Sequence, residues 1–156
     1  MTALTILSFV ILVAYIIGAS IKMGKWPESL TELSGAFDWP LRVLWFIAIP
    51  GAAILLAPAA IEHTGDTTKF LTFITLAAVV VYGMCARLTD VTDEIITSVA
   101  GWIAIGASSL TVVLNHWWLL FLWVPVIVLA ILKKLPCWRF VMTVTAVLIF
   151  YIHSIV

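Results

Sequence analysis

The sequence alternates long apolar runs with short polar joints, and no Asp, Glu, Lys, Arg or His falls near the middle of any run. Six runs have this character: residues 4–21, 41–61, 70–86, 95–114, 117–132 and 136–156. A helix rises about 1.5 Å per residue, so roughly 20 mostly apolar residues cross the roughly 30 Å hydrocarbon core of a bilayer. The runs lack two-residue alternation and are too long for membrane strands. The expected fold is all-α: a polytopic transmembrane helical bundle of about six helices, forming a single domain over residues 1–156.

Composition supports lipid as the solvent. Only 10% of the 156 residues are charged, against roughly 25% in a soluble domain. Eight Lys and Arg balance eight Asp and Glu, whereas a nucleic-acid binder would carry a basic excess. The opening Met1-Thr2-Ala3-Leu4 lacks a positive n-region, so the first run is expected to be retained as a span. Pro50-Gly51 and Pro58 interrupt the second run and Pro125 the fifth. Each predicts a kink whose freed carbonyl must be satisfied by neighbours. Ala100, Ala104 and Ser108, four apart, predict a close helix contact.

With six spans, the joints after the first, third and fifth lie on one side. They and their flanks carry Lys22, Lys25, Arg42, Arg87, Lys133, Lys134 and Arg139, against Lys69 alone on the other side. The positive-inside rule makes the basic side cytoplasmic and puts both termini outside. Trp26, Trp39, Trp45 and Trp138 fall near the inner boundary, and Trp117 and Trp118 near the outer one. These are depths that suit amphipathic indoles. Cys85 and Cys137 form neither a CxxC pair nor zinc spacing and are expected as reduced, apolar thiols.

Two polar groupings are candidate sites. On the inner side, Glu28 and Glu32 are four apart in the first joint, hence on one helical face, with Leu30, Leu33 and Phe37 available for another. This pattern predicts a short interfacial helix. Asp38 follows it, and the third joint adds Asp90, Asp93 and Glu94. These carboxylates could surround a cation or polar substrate, while Arg42 and Arg87 could hold an anionic head group bidentately. The competing structural reading makes Thr89, Asp90 or Thr92 a cap of the fourth span, with Asp93 and Glu94 favouring its positive end. On the outer side fall all three histidines, His63, His116 and His153, near Glu62 and Asp66. Imidazoles with carboxylates can ligate zinc, copper or iron, or relay protons, so the histidines are the candidate metal site. Each comes from a different segment, so spacing identifies no particular metal or cofactor.

The stretch Trp26-Pro27-Glu28-Ser29-Leu30-Thr31-Glu32-Leu33-Ser34, followed by the tryptophan-rich start of the second run and Pro58 near its end, resembles a group of small bacterial multi-span membrane proteins of unknown function. The resemblance implies an architecture and a bacterial inner membrane, and no activity. The leading functional expectation is a non-enzymatic bundle that binds a lipid, a small molecule or a partner helix near its cytoplasmic face. One alternative is a membrane-embedded enzyme acting on lipid head groups through a carboxylate or metal site. Another is a small channel or transporter component, with a wet path along Ser108, Thr111 and Thr143. Ion-coupled transport is disfavoured, because it ordinarily needs ionisable groups inside the membrane. Expected partners are membrane lipids and a second copy or another membrane protein.

Overall fold

The computed structural model describes residues 2–38, 41–86, 91–131 and 137–156, without the side chains of residues 2, 91–94 and 130. Among the described residues every regular element is helical. Three stretches are long and apolar enough to cross a membrane: Ala3–Met23, Val43–Glu62 and Ile95–Leu129. Two shorter apolar helices, Lys69–Cys85 and Trp138–His153, complete an all-α bundle.

Helix α1 (Thr2–Met23) ends where Gly24 turns to φ +66, and the Gly24 N–H returns to the Ile21 carbonyl at 3.1 Å. That left-handed backbone needs a residue without Cβ. The first joint then forms a 3-10 turn, Leu30–Gly35, in place of an α-helix lying along the membrane. Its Leu30 and Leu33 are buried in the core. The Tyr15 hydroxyl donates to the Leu33 carbonyl at 2.7 Å, and the Ser34 hydroxyl to the Ala86 carbonyl at 3.0 Å. The turn is thus pinned under α1 and the end of the helix Lys69–Cys85.

The second span is built in three pieces: α2 (Val43–Phe46), a π turn (Ile47–Gly51) and α3 (Ala52–Glu62). Pro50 has no N–H to offer the carbonyl four residues back. The π turn, with its i→i+5 pattern, passes that carbonyl to the following residue. The bulge is matched on α4 (Lys69–Cys85) by Gly83. A Cβ placed there would sit 2.7 Å from Cγ and Cδ of Pro50 and 3.1 Å from Ile49 Cγ2. The Trp45 indole N–H donates to the Gly83 carbonyl at 2.6 Å. Trp45 is fully buried, between Tyr15 and Tyr82 at ring separations of 5.8 and 6.4 Å. This overturns its reading as an interfacial anchor. Trp26, Trp117, Trp118 and Trp138 are exposed, as an interfacial belt requires, and Trp39 lies outside the described residues.

Helix α5 (Val91–His116) packs most extensively against α4. Ala100, Ala104 and Ser108 are all buried on it. The fifth run is less helical than expected. At His116 the backbone leaves helical geometry (φ −141, ψ 59), a 3-10 segment covers Trp117–Leu122, and only α6 (Trp123–Ile131) is α-helical. Apart from that 3-10 segment, α6 packs chiefly against α7 (Trp138–His153), and it turns Val124, Ile127, Val128 and Leu129 outward.

The main core gathers α1, the second span, α4 and α7 around Leu12, Trp45, Ile49, Leu56 and Phe150. The Ser8 hydroxyl donates to the Ala52 carbonyl at 2.7 Å and also meets the Tyr151 hydroxyl, joining α1, α3 and α7 in one buried node. A smaller cluster of Val112, Leu119 and Ile149 joins the far halves of α5 and α7.

The Gly83 contact predicts that Gly83→Ala forces the Pro50 ring and bulge apart. Overpacking of this kind costs about 1–3 kcal/mol. Gly18→Ala, where nothing lies within 4 Å, is the control and should leave stability level or slightly raised. Unfolding of the detergent-solubilised protein checks both; equal midpoints for the two variants would refute the nested contact.

Candidate functional site

The inner-face residues expected to converge are mostly satisfied locally or stand apart. Glu32 pairs with Lys25 at 2.5 Å and accepts the Glu28 backbone N–H at 2.7 Å. Glu28, Asp38 and Arg42 are exposed. Arg87 and Asp90, and the side chains of Asp93 and Glu94, lie outside the described residues. Among the described residues no group of three or more His, Cys, Asp or Glu converges to hold a metal ion. The four-residue spacing of Glu28 and Glu32 therefore serves to close the loop: the later carboxylate reaches back to the earlier amide.

The half of the bundle that carries the first joint opens into a cleft of about 680 Å³ between α4, α5, α6, α7 and the 3-10 turn of that joint. Ligand sites typically range from about 300 to 1,000 Å³. The cleft arises because α5 and α7 meet at the level of Val112 and Ile149, while nearer the inner face their Thr97, Gly101, Arg139 and Thr143 line a gap. Trp102, Trp123 and Trp138 supply aromatic walls. Gly101, Ile105, Tyr82, Leu30 and Thr143 also line a narrower apolar cavity of about 130 Å³ deeper in the bundle, so the two share a wall. Thr97 is buried, and its hydroxyl has no hydrogen-bond partner among the described residues. Arg139 stacks its guanidinium 5.6 Å from the Trp138 ring centroid. Sequence reasoning counted Arg139 only as a topology charge and passed over Thr97 and Gly101. The usable signal was a lone cation placed just inside an apolar run.

At the opposite end the three histidines lie near one another, but only two make contact. His116 and His153 approach Nδ1 to Nδ1 at 2.8 Å. His63 turns back on its own helix, its Nδ1 2.9 Å from the Ala59 carbonyl. The expected three-histidine metal site is therefore not assembled. His153 is fully buried, and its Nε2 lies 3.3 Å from the Thr64 hydroxyl, which donates to the Ala60 carbonyl at 2.6 Å and also meets Thr72. Asn115 stitches the same end together: its Oδ1 accepts the Gly65 N–H at 3.0 Å, and its Nδ2 donates to the Thr111 carbonyl at 2.7 Å. Asp66 and Lys69 pair at 2.5 Å on the surface nearby. This is a polar clasp that closes the end of the bundle opposite the first joint.

No protein-family model, curated protein or solved structure matches this chain, so function is read from the site alone.

Two predictions follow from these contacts. Thr64 spends its one proton on Ala60, so it can only accept from His153. Neutral His153 then carries its proton on Nε2 and accepts at Nδ1 from His116. Histidine ¹⁵N chemical shifts report these tautomers directly; an Nδ1-protonated His153 would contradict the network. On the inner side, Lys25 and then the Glu28 amide hold the Glu32 carboxyl below its ordinary 4.5. Glu32 in turn raises Lys25 above its ordinary 10.5. A depressed carboxyl stabilises the fold above its unfolded value and loses this as pH falls through the folded one; a raised ammonium stabilises below its unfolded value and loses this as pH rises. The pair therefore works between those two ordinary values, and weakly, because Lys25 is exposed. Glu32→Ala should deprotect the Glu28 amide in hydrogen exchange at neutral pH while leaving the melting midpoint unchanged.

Proposed function

We propose that this chain is a membrane-embedded, non-enzymatic binding protein for a lipid or another small molecule with an apolar tail, accommodated in the inner cleft. The observation that carries this reading is the adjacency of the tryptophan-walled cleft and the apolar cavity behind it, which share Leu30, Tyr82, Gly101, Ile105 and Thr143 as lining. A wide mouth with hydroxyls and a cation suits a head group, and a narrow apolar recess suits a tail. The asymmetric distribution of Lys and Arg favours a mouth in the cytoplasmic leaflet, with both termini outside. The resemblance carried by residues 26–34 favours a bacterial inner membrane. The outward apolar side chains of α6 are then met by lipid, a second copy or another membrane protein.

Other readings draw less support. A head-group enzyme needs converging carboxylates or a metal centre, and none assembles among the described residues. A wet path needs free hydroxyls. Those of Ser108, Thr111 and Thr143 donate to the carbonyls of Ile105, Ala107 and Arg139 on their own helices.

Mass spectrometry of molecules that co-purify with the protein tests the proposal. A Cβ on Gly101 would make only ordinary contact with the Tyr82 ring at 3.4 Å, whereas a longer side chain fills the cleft. Gly101→Ala should retain the co-purifying molecule. Gly101→Leu should lower its occupancy by about tenfold, or roughly 1.4 kcal/mol of binding, with an unchanged chromatographic profile. Equal occupancy in the two variants would refute binding in this cleft.

A further inference from the structure

We infer that the inner cleft selects an anionic amphiphile, with its acidic head group held by Arg139 and the Thr97 hydroxyl and its apolar tail passing Trp102 and Trp123 toward the apolar recess beyond Ile105. This rests on the cleft reading above and adds the charge of the ligand.

Arg139 is the one charged side chain among the described residues that line the cleft. Neither ion pair found among the described residues uses it. Among the described residues its guanidinium is steadied by the Trp138 ring. A stacked guanidinium keeps its in-plane donors free, and that planar fork matches a carboxylate or phosphate. Thr97 gives the second, independent observation. A helical threonine ordinarily donates to a carbonyl one turn back, as Thr75, Thr111, Thr143 and Thr145 do here. Thr97 is buried and donates to no group among the described residues, and it lines the same cleft as Arg139. A buried donor left unmet is costly, and a head-group oxygen would meet it. No carboxylate among the described lining residues could receive the cationic part of a zwitterionic head, so such a head would bring its cation against Arg139 without compensation. The shared chemistry is an oxyanion on an apolar chain. Its source is either a free fatty acid or an acidic glycerolipid.

The tryptophans of the cleft provide the test. Bromine quenches indole fluorescence on contact, so the full-length protein in neutral detergent is titrated with dibromostearic acid, ionised, and with its methyl ester. Saturable quenching with the acid at least about tenfold tighter than the ester, or roughly 1.4 kcal/mol, is expected. Arg139→Gln should erase that preference while ester binding persists, which also shows that the variant folds. Arg139→Lys should restore part of it. Thr97→Val should weaken the acid more than the ester. Equal binding of acid and ester to the unaltered protein would overturn charge selection and leave the cleft reading standing. Saturable quenching by neither would overturn the cleft reading itself. In a parallel arm, brominated phosphatidylglycerol is compared with brominated phosphatidylcholine. An Arg139-dependent preference for phosphatidylglycerol supports the proposal and assigns a glycerolipid source. Preference for the fatty acid alone supports it and assigns a carboxylate. Tighter binding of phosphatidylcholine overturns it.

Discussion

Pro50 cannot donate a hydrogen bond, and in hydrocarbon an unmet backbone carbonyl costs several kcal/mol. The bundle is arranged around the answer to that deficit. The π turn Ile47–Gly51 shifts the hydrogen-bond register, and the resulting bulge needs a neighbour with no side chain. Gly83 supplies it, and the Trp45 indole closes the contact by bonding the Gly83 carbonyl. Fixing α4 against the second span also sets the position of α5, its closest partner. α7 reaches α5 at the histidine end, through Ile149 and the His153–His116 contact. Their divergence toward the inner face leaves the cleft.

Much of the architecture was legible because it depends on a single bulk property, the distance an apolar run can cover. The six runs, the kink at Pro50 and the outward tryptophans at positions 26, 117, 118 and 138 follow from length, proline chemistry and amphipathic rings. Trp45 was misassigned for a physical reason: depth along the chain is the same for an indole facing lipid and one facing Gly83. The 3-10 turn at Leu30–Gly35 was read as interfacial because its leucines suit lipid and core equally.

The sites were less legible, because their members come from separate helices whose rotations no local pattern encodes. Glu28 and Glu32 formed the most suggestive local pair, and local spacing explains them fully through a loop-closing bond. Thr97, Gly101 and Arg139 share no spacing at all, yet they line one cleft. The histidines illustrate both sides. Their common end of the bundle was deducible from the alternation of spans. That His116 would find His153 while His63 folded onto Ala59 depended on side-chain direction alone.

The Ser8 node has a consequence for how the protein is made. Its two partners arrive at very different times: Ala52 follows Ser8 by 44 residues and Tyr151 by 143. When α3 inserts, Ser8 already has an acceptor, so the early helices can settle while synthesis continues. The face of α1 that carries Ser8 and Phe9 nevertheless stays unfinished until Tyr151 is in the membrane. Pairings of such long sequence separation form slowly. The Ser8 node is therefore completed only when α7 docks beside α1.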